Sequence, residues 1–506
     1  MTDFSFQSKH LSSNLARSSL QGGIAAIAAQ GIRFVLHIGS IMVLARLLAP
    51  EDYGMFSIVM SFVVLGNLFK DLGLPTATIQ CADISHAQVS TLFWINVFLG
   101  CVLAVLAVIA APVIAWFFRE PRLAWMMATM GSVFIMNGVL SQPQALLSRR
   151  MQFIDLAVID VSAMFMGVSV GIISAWKFSA GYWALIWIQM IMVCVTMIGV
   201  FVACRWRPDL PSRNSGIHGM LKFGSRVTVM SIFAHLGRSL DNLVIGWYWG
   251  IRELSFYDKA YQMMMLPIYQ ISGPISGIAL PVLSSLQKNP KSYQEYFFRI
   301  IVISGALGMM LASFLYVVAD QAVLVILGPQ WTDSVPIFRA LSPAAFIDTL
   351  LASFFWVPLS LGQGTRLMRA MAIISAISIF SFFIGLPWGA VGVATAYSVS
   401  RYLVLLPILI YCCHESPVKW RFVFNVIWRP AAASITAAFG MSLIIDYNLF
   451  HVIPLIDLII NALVYIFFFL LVWILLPNGL RFFIETIHIL RQERKESTDC
   501  SRTRCE

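Results

Sequence analysis

The residues best suited to chemistry are charged side chains that fall inside long apolar stretches of the sequence. Gln30, Arg33 and His37 occur at spacings that place all three on one face of a helix. An arginine guanidinium is a planar fork that can hold two oxygens of a phosphate or carboxylate at once, and this contact strengthens where water is excluded. The chemistry predicted for this face is therefore the binding of an anionic group.

A second polar face follows later in the chain, where Ser231, His235, Arg238 and Asn242 have similar spacings. A charge at the centre of a membrane span costs about 2.5 to 3.5 kcal/mol if it faces lipid, so such residues must face protein or water. We expect the two faces to meet at one cavity. The predicted substrate-binding side chains are Gln30, Arg33, His37, Arg226, Arg238, Asp241 and Arg401, and the candidates for ion coupling are Asp241 and Asp348.

Two structural explanations for the charges stay open. Arg238 can pair with Asp241 one turn along the same helix, and the pair would then need no ligand. Lysines near the ends of spans can instead extend their ammonium groups to the membrane surface, as Lys70, Lys222 and Lys259 would. Neither explanation accounts for Arg33 and Arg401, which lie nearest the middle of their stretches.

The apolar stretches themselves predict an all-α polytopic membrane protein. Hydrophobic residues make up 59% of the chain and charged residues 11%, which is more apolar surface than a soluble fold could bury. A span needs about 20 apolar residues and must be a helix, because a helix satisfies its own backbone groups in lipid. We predict fourteen transmembrane helices, at residues 22–45, 53–74, 89–117, 123–146, 154–176, 182–204, 219–245, 256–278, 297–327, 333–361, 367–387, 389–412, 423–446 and 453–476.

The positions of the basic residues predict how these helices are oriented. Short cytoplasmic loops carry the excess of Lys and Arg. Such clusters occur at Arg149 with Arg150 and over residues 205–222, after the fourth and sixth helices. This pattern places both termini in the cytoplasm. The net charge of +10 then reflects the loop asymmetry and a basic tail, so we expect no nucleic-acid partner.

The chain shows weak internal symmetry at an offset of 201 residues. Val43–Ser57 aligns with Val244–Asp258, and the polar stripe of the first helix falls on that of the seventh. Because six helices separate the two copies, the halves share one orientation and are related by an axis along the membrane normal. Two parallel six-helix repeats suit a carrier that rocks around a central cavity.

Several segments give the chain a family resemblance. LARLLAPEDYGMFSIV at Leu44–Val59 and KDLGLPTATIQ at Lys70–Gln80 are followed by characteristic segments at Leu221–Gly250, Ile271–Gln287 and Leu327–Phe346. With these motifs the chain resembles the polysaccharide and lipid-linked oligosaccharide exporters of the multidrug/oligosaccharidyl-lipid/polysaccharide (MOP) flippase superfamily. Within that superfamily it is most similar to the polysaccharide synthase and transport subfamily.

The resemblance implies an architecture as well as a function. Two six-helix bundles would form a V-shaped cavity, and two further helices would follow them. The function implied is movement of a polyprenyl-diphosphate-linked oligosaccharide from the inner to the outer leaflet of the cytoplasmic (inner) membrane, for lipopolysaccharide, O-antigen, capsule or exopolysaccharide synthesis. The domains would be a cytoplasmic N-terminal segment (1–21), the two bundles (22–210 and 211–413), the two additional helices (414–476), and a cytoplasmic amphipathic helix with a disordered tail (477–506).

The expected partners are the lipid-linked oligosaccharide, membrane lipids and other polysaccharide assembly proteins, with no cofactor or metal. A multidrug or small-molecule antiporter would share the fold, but buried carboxylates would suit its cationic substrates better than buried arginines. A membrane glycosyltransferase or polymerase would need acidic residues for base or metal chemistry. The sequence holds no Gly-rich phosphate loop, HExxH or DxD run, so transport is favoured over catalysis.

Overall fold

The apolar stretches form long helices in the computed structural model, which describes residues 15–81, 84–211, 228, 239–446 and 454–477. No strand occurs among these residues, and residues 239–248 are helical between α7 and α8. The labelled helices are α1 (Leu15–Leu47), α2 (Pro50–Asp71), α3 (Leu74–Gln80), α4 (His86–Phe117), α5 (Arg122–Arg149), α6 (Phe153–Phe178), α7 (Trp183–Cys204), α8 (Ile251–Ser285), α9 (Pro290–Val317), α10 (Ala319–Ile326), α11 (Ser334–Phe354), α12 (Trp356–Ser360), α13 (Gly364–Gly385), α14 (Gly389–Cys413), α15 (Trp420–Asp446) and α16 (Pro454–Leu475).

Twelve segments of the described chain are long and apolar enough to cross a membrane. One of them, Gly364–Cys413, holds both α13 and α14, which a short 3₁₀ turn at Leu386–Trp388 separates. The segments therefore correspond to thirteen of the predicted helices, and the seventh, 219–245, lies largely outside the described residues. The all-α membrane fold is confirmed, whereas the number fourteen stays a prediction. The predicted amphipathic helix and tail also lie outside the described part of the chain.

Local chemistry explains where two of these helices begin. Pro50 opens α2, where its missing N–H is not needed, and Glu51 and Asp52 stand in the first turn, where the helix dipole favours negative charge. Ser85 and Gln88 form a capping box in front of α4, so that side chains satisfy two backbone N–H groups there. Both starts follow directly from the sequence.

The helices group into two compact units, whose boundaries differ from the predicted bundles 22–210 and 211–413. Those bundle boundaries stay a prediction. The first unit spans Met1–Tyr261, Ile326–Ile337 and Met371–Ser400, and the second spans Gln262–Val325, Phe338–Ala370 and Arg401–Glu506.

Within the first unit, α4 and α5 pack with their backbones in close contact. A Cβ added to Gly100 would lie 2.6 Å from the carbonyl oxygen of Phe134, and one added to Gly138 would lie 2.7 Å from that of Asn96. Small residues at a helix contact allow this approach between spans. The two glycines thereby allow α5, which carries several polar residues, to lie close against α4.

Within the second unit, α15 and α16 pack on α9. Val302 of α9 shares an apolar core with Ala437 of α15 and Tyr465 of α16. The Tyr465 hydroxyl lies 2.7 Å from Ser313 Oγ of α9 and so has a polar partner inside this core. The two additional helices at the end of the chain are thus tied to the second unit by both apolar and polar contacts.

Candidate functional site

The polar face of α1 is held by an ion pair with α6. Arg33 Nη1 lies 3.0 Å from Asp160 Oδ2, and Arg33 Nη2 donates to Gln30 Oε1 at 3.1 Å. The side chains of Arg33 and Asp160 are 36% and 34% exposed, so protein leaves about a third of each uncovered. His37 is partly buried on the same helix. The pair compensates charge inside a span and leaves part of both side chains exposed, and the substrate-binding role of Gln30, Arg33 and His37 stays a prediction.

Asp160 is a functional candidate that the sequence analysis missed. It lies well inside the predicted helix 154–176, where an uncompensated carboxylate would be unfavourable, and this position is the signal that could have identified it. Its partner lies 127 residues earlier in the chain, so no local spacing connects the two. The contact between α1 and α6 brings them together.

Arg401 has a carboxylate partner in the second unit. Arg401 Nε of α14 lies 3.5 Å from Asp348 Oδ1 of α11, and the two side chains are only 12% and 15% exposed. Two of the predicted site residues therefore lie next to each other. Their assignment to substrate binding and ion coupling stays a prediction.

Asp241 belongs to a buried hydrogen-bond network in the first unit. Its carboxylate accepts a hydrogen bond of 2.8 Å from the Tyr257 hydroxyl and one of 2.9 Å from the backbone N–H of Asn242. The Asn242 side-chain amide donates to Ser57 at 3.1 Å and to Asp258 at 3.3 Å. The network joins α2, the helical residues 239–248 and α8, which points to a role in holding these helices together. The substrate and coupling roles of Asp241 stay predictions.

Lys259 and Lys70 do not extend to the membrane surface, contrary to one of the explanations considered above. Both side chains are buried by protein. The Lys259 ammonium lies 4.1 Å from the centre of the Tyr53 ring, and Lys70 lies 2.9 Å from Asp71. Each ammonium is stabilised by neighbours from the protein instead of by water, which hydropathy alone could not indicate. Lys222 lies outside the described residues.

The starts of α2 and α8, which the internal symmetry aligns, pack against each other. Arg252 Nε lies 3.7 Å from Glu51 Oε1, and these two residues are aligned with each other by the repeat offset. A Cβ at Gly54 would lie 2.2 Å from the Ile251 carbonyl oxygen, so only glycine fits this contact. Equivalent residues meet in this way close to a two-fold axis, which agrees with the predicted repeat without establishing it.

The remaining predicted residues, Arg226 and Arg238, lie outside the described part of the chain. The predicted ion pair between Arg238 and Asp241 therefore also lies outside the described residues. Among the described residues, no group of three or more His, Cys, Asp or Glu side chains could hold a metal ion.

Comparison with known sequences supplies the family context. Residues 43–336 match the family described as polysaccharide biosynthesis protein. The lipopolysaccharide biosynthesis protein WzxC of Escherichia coli is 22% identical over 448 residues, which cover 86% of this chain and 88% of WzxC. The teichuronic acid biosynthesis protein TuaB of Bacillus subtilis is 23% identical over 399 residues, which cover 75% of this chain and 80% of TuaB.

Comparison with solved structures supplies the fold. The lipid II flippase MurJ in an inward closed conformation has a TM-score of 0.73 at 13% identity, covering 90% of this chain and 98% of MurJ. A multidrug resistance MATE family transporter of the MOP superfamily, in an inward-facing conformation, has a TM-score of 0.61 at 14% identity, covering 79% of this chain and 99% of the transporter. The helices described above therefore follow the fold of these transporters.

Proposed function

Because the chain belongs to the polysaccharide biosynthesis protein family, within the MOP flippase superfamily, we propose that it moves a polyprenyl-diphosphate-linked oligosaccharide from the inner to the outer leaflet of the cytoplasmic membrane. The product would supply the synthesis of a surface polysaccharide. Relatives named for lipopolysaccharide, teichuronic acid and succinoglycan biosynthesis support this class of product. The sugar itself is not specified by these similarities.

The observation that carries the proposal is the arrangement around Arg33. A diphosphate headgroup needs cations inside the span, and Arg33 offers one on a side chain that is 36% exposed. Asp160 compensates the Arg33 charge at 3.0 Å. When the headgroup arrives, its phosphate oxygens compete with the Asp160 carboxylate for the same N–H donors. Gln30, 3.1 Å from the other terminal nitrogen, keeps the guanidinium oriented during this exchange.

The membrane potential favours this direction of transport. Moving one elementary charge across 100 mV is worth about 2.3 kcal/mol, so a dianionic headgroup that moves outward across an inside-negative membrane gains about 4.6 kcal/mol. The lipid tail stays in the bilayer, and only the headgroup and sugar enter the protein. Ion coupling through Asp348 or Asp241 would add to this driving force.

The orientation and partners belong to the same proposal. The Lys and Arg distribution supports a multi-pass protein of the inner membrane with both termini in the cytoplasm. The polysaccharide would then be handed to other assembly proteins on the outer side. The protein would act as a transporter and not as an enzyme.

A multidrug antiporter is the second candidate, since the MATE transporter shares the fold. Such an antiporter binds cations, for which the ion-paired Arg33 and Arg401 are poorly suited. A glycosyltransferase or polymerase of the membrane is the third candidate, and the family context speaks against it. The three functions differ in where the lipid-linked oligosaccharide would accumulate in a cell without the protein.

Deleting the gene tests the proposal directly. Sealed inside-out and right-side-out membrane vesicles are treated with periodate, which oxidises sugar diols and stays outside the vesicles. We expect lipid-linked oligosaccharide to accumulate and to react only in inside-out vesicles, and the wild-type gene to reverse this. Accumulation on the outer face would instead indicate a polymerase. Unchanged oligosaccharide together with a loss of drug resistance would indicate an antiporter.

A further inference from the structure

A polar cavity of about 390 Å³ lies in the first unit between α2, α3 and α5, separate from the Arg33 pair. It stands at the ends of α2 and α5 that the predicted topology places on the cytoplasmic side, where a substrate would enter. Its polar lining includes Asn67, Lys70, Asp71, Asn137, Ser141 and Gln144.

The charges of the cavity cancel within it. Lys70 Nζ lies 2.9 Å from Asp71 Oδ1 and 3.1 Å from Ser141 Oγ, and the Ser141 hydroxyl lies 2.8 Å from the same carboxylate oxygen. The Lys70 side chain is 4% exposed and that of Asp71 is 41% exposed. The ammonium is therefore enclosed, while the carboxylate presents acceptor oxygens to the cavity.

Two amides add donors and acceptors. The side-chain nitrogen of Asn137 donates to the Asn67 side-chain oxygen at 3.2 Å. The described residues supply no other side-chain hydrogen bond to either amide. Because an amide carries two N–H donors and one acceptor oxygen, Asn67 then keeps its two donors for a ligand and Asn137 keeps one donor and its oxygen. Gln144 contributes a third amide to the lining.

A buried hydrogen-bond chain fixes these groups in place. The Asn96 amide donates to the Lys70 carbonyl at 3.0 Å and accepts from Gln142 at 3.0 Å. Gln142 also accepts from the Thr78 hydroxyl of α3 at 2.8 Å, and Arg149 binds the Thr78 carbonyl at 2.8 Å. Four helices are thus joined beneath the cavity, which holds the lining residues in a fixed geometry before any ligand binds.

This combination of groups matches one class of ligand. An anionic ligand would be repelled by the exposed Asp71 carboxylate. A lipid chain would leave the amides without hydrogen bonds. An uncharged polyhydroxy group supplies both donors and acceptors to amides and a carboxylate. We infer that the cavity binds an uncharged sugar residue of the transported oligosaccharide and contributes to the choice of sugar. The inference rests on the proposed function, because it divides that substrate into a headgroup and a sugar part.

Binding measurements with two probes test the inference on the full-length protein in lipid nanodiscs. The first probe is the lipid-linked oligosaccharide fraction extracted from the deletion strain, and the second is undecaprenyl diphosphate without sugar. We expect the wild-type protein to bind the first probe more tightly. Three variants remove one amide each: Asn67→Ala, Asn137→Ala and the milder Gln144→Ala. Each should weaken binding of the first probe by about three- to tenfold, because that is the net contribution of one hydrogen bond. Binding of the second probe should stay unchanged.

Asn425→Ala is the matched control, since it removes an exposed amide from α15, outside the cavity. It should bind both probes as the wild type does. Wild-type affinity of all three cavity variants for the oligosaccharide probe would overturn the inference. Equal losses of affinity for both probes would also overturn it, because the cavity residues would then only stabilise the fold. Failure of the wild-type protein to bind either probe would instead reject the proposed function.

Discussion

Arg33 with Asp160 and Arg401 with Asp348 are chemically identical ion pairs in helices that are apolar enough to span a membrane, yet protein covers them to different extents. The first pair is 3.0 Å apart and about a third exposed, and the second is 3.5 Å apart and nearly enclosed, at 12% and 15%. Under the proposed function, the partly exposed Arg33 exchanges its carboxylate partner for a phosphate. An enclosed guanidinium must first lose its packing. Position inside a span therefore does not by itself identify a substrate-binding arginine.

This difference in exposure predicts different effects of substituting the two arginines. Removing one member of an enclosed ion pair leaves the other charge buried without compensation, which destabilises the fold. Under the proposed function, removing the partly exposed Arg33 would remove a ligand contact and leave a carboxylate that can still be solvated. We expect stability to depend mainly on Arg401 and export mainly on Arg33.

The largest effect is expected for Arg401→Ala. Because Asp348 would be left nearly enclosed, the protein should lose about 3 to 5 kcal/mol of stability. The melting temperature of the purified protein and its abundance in the membrane measure this loss. The double variant Arg401→Met with Asp348→Leu removes both charges and should recover much of the abundance. Normal melting of Arg401→Ala together with lost export would show that Arg401 binds substrate, and the distinction between the pairs would fail.

Arg33→Ala should lose export while the protein remains in the membrane at normal abundance. A charge-assisted contact is worth about 1.5 to 3 kcal/mol, so affinity for undecaprenyl diphosphate should fall about ten- to hundredfold. Arg33→Lys keeps the charge without the planar fork and should retain partial activity. Export in a deletion strain, normalised to membrane abundance, gives the comparison. Full export by Arg33→Ala at normal abundance would mean that the arginine is structural, and the headgroup mechanism would be withdrawn.

Asp160→Asn should have a smaller effect in the opposite direction on binding. The amide keeps a hydrogen bond to Arg33 but competes less with phosphate, so affinity for undecaprenyl diphosphate should rise about three- to tenfold. Export should fall, because the carboxylate no longer helps to displace the headgroup. Binding in nanodiscs measures the change in affinity, and export in the deletion strain measures the change in transport. A drop in affinity would show that the Asp160 charge positions Arg33 instead of competing for it.

Most of the fold could be predicted from the sequence, because bilayer thickness sets the length of an apolar run and the helix period sets which residues share a face. The polar face of Gln30, Arg33 and His37 was accessible to this reasoning. The partners of the charges were not. Asp160 contacts Arg33 only through the packing of α1 on α6. The hydropathy of a sequence carries no information about such contacts between helices.

The buried lysines show the same limit. Lys70 and Lys259 look like residues that extend to the membrane surface, because each lies close to the end of an apolar run. What decides their position is an acid or an aromatic ring on a neighbouring residue or helix, Asp71 for one and Tyr53 for the other. The polar cavity beside Lys70 was likewise beyond sequence reasoning, since its residues come from separate helices.

The smallest effect is expected at a pair in which both the arginine and the carboxylate are largely exposed. Arg252 and Glu51 join the starts of α8 and α2 at 3.7 Å, with side chains 67% and 40% exposed. An ion pair of this kind contributes about 0 to 1 kcal/mol, so Arg252→Ala should leave the melting temperature nearly unchanged and export within about twofold of the wild type. Arg252 also lies over the Phe256 ring, 5.8 Å from its centre, and Arg252→Lys keeps a charge at this position. If Arg252→Ala lost export and Arg252→Lys restored it, charge between these two helix starts would matter to the transport cycle. The exposed fraction of the side chain would then be the wrong criterion for ranking Arg33, Arg252 and Arg401.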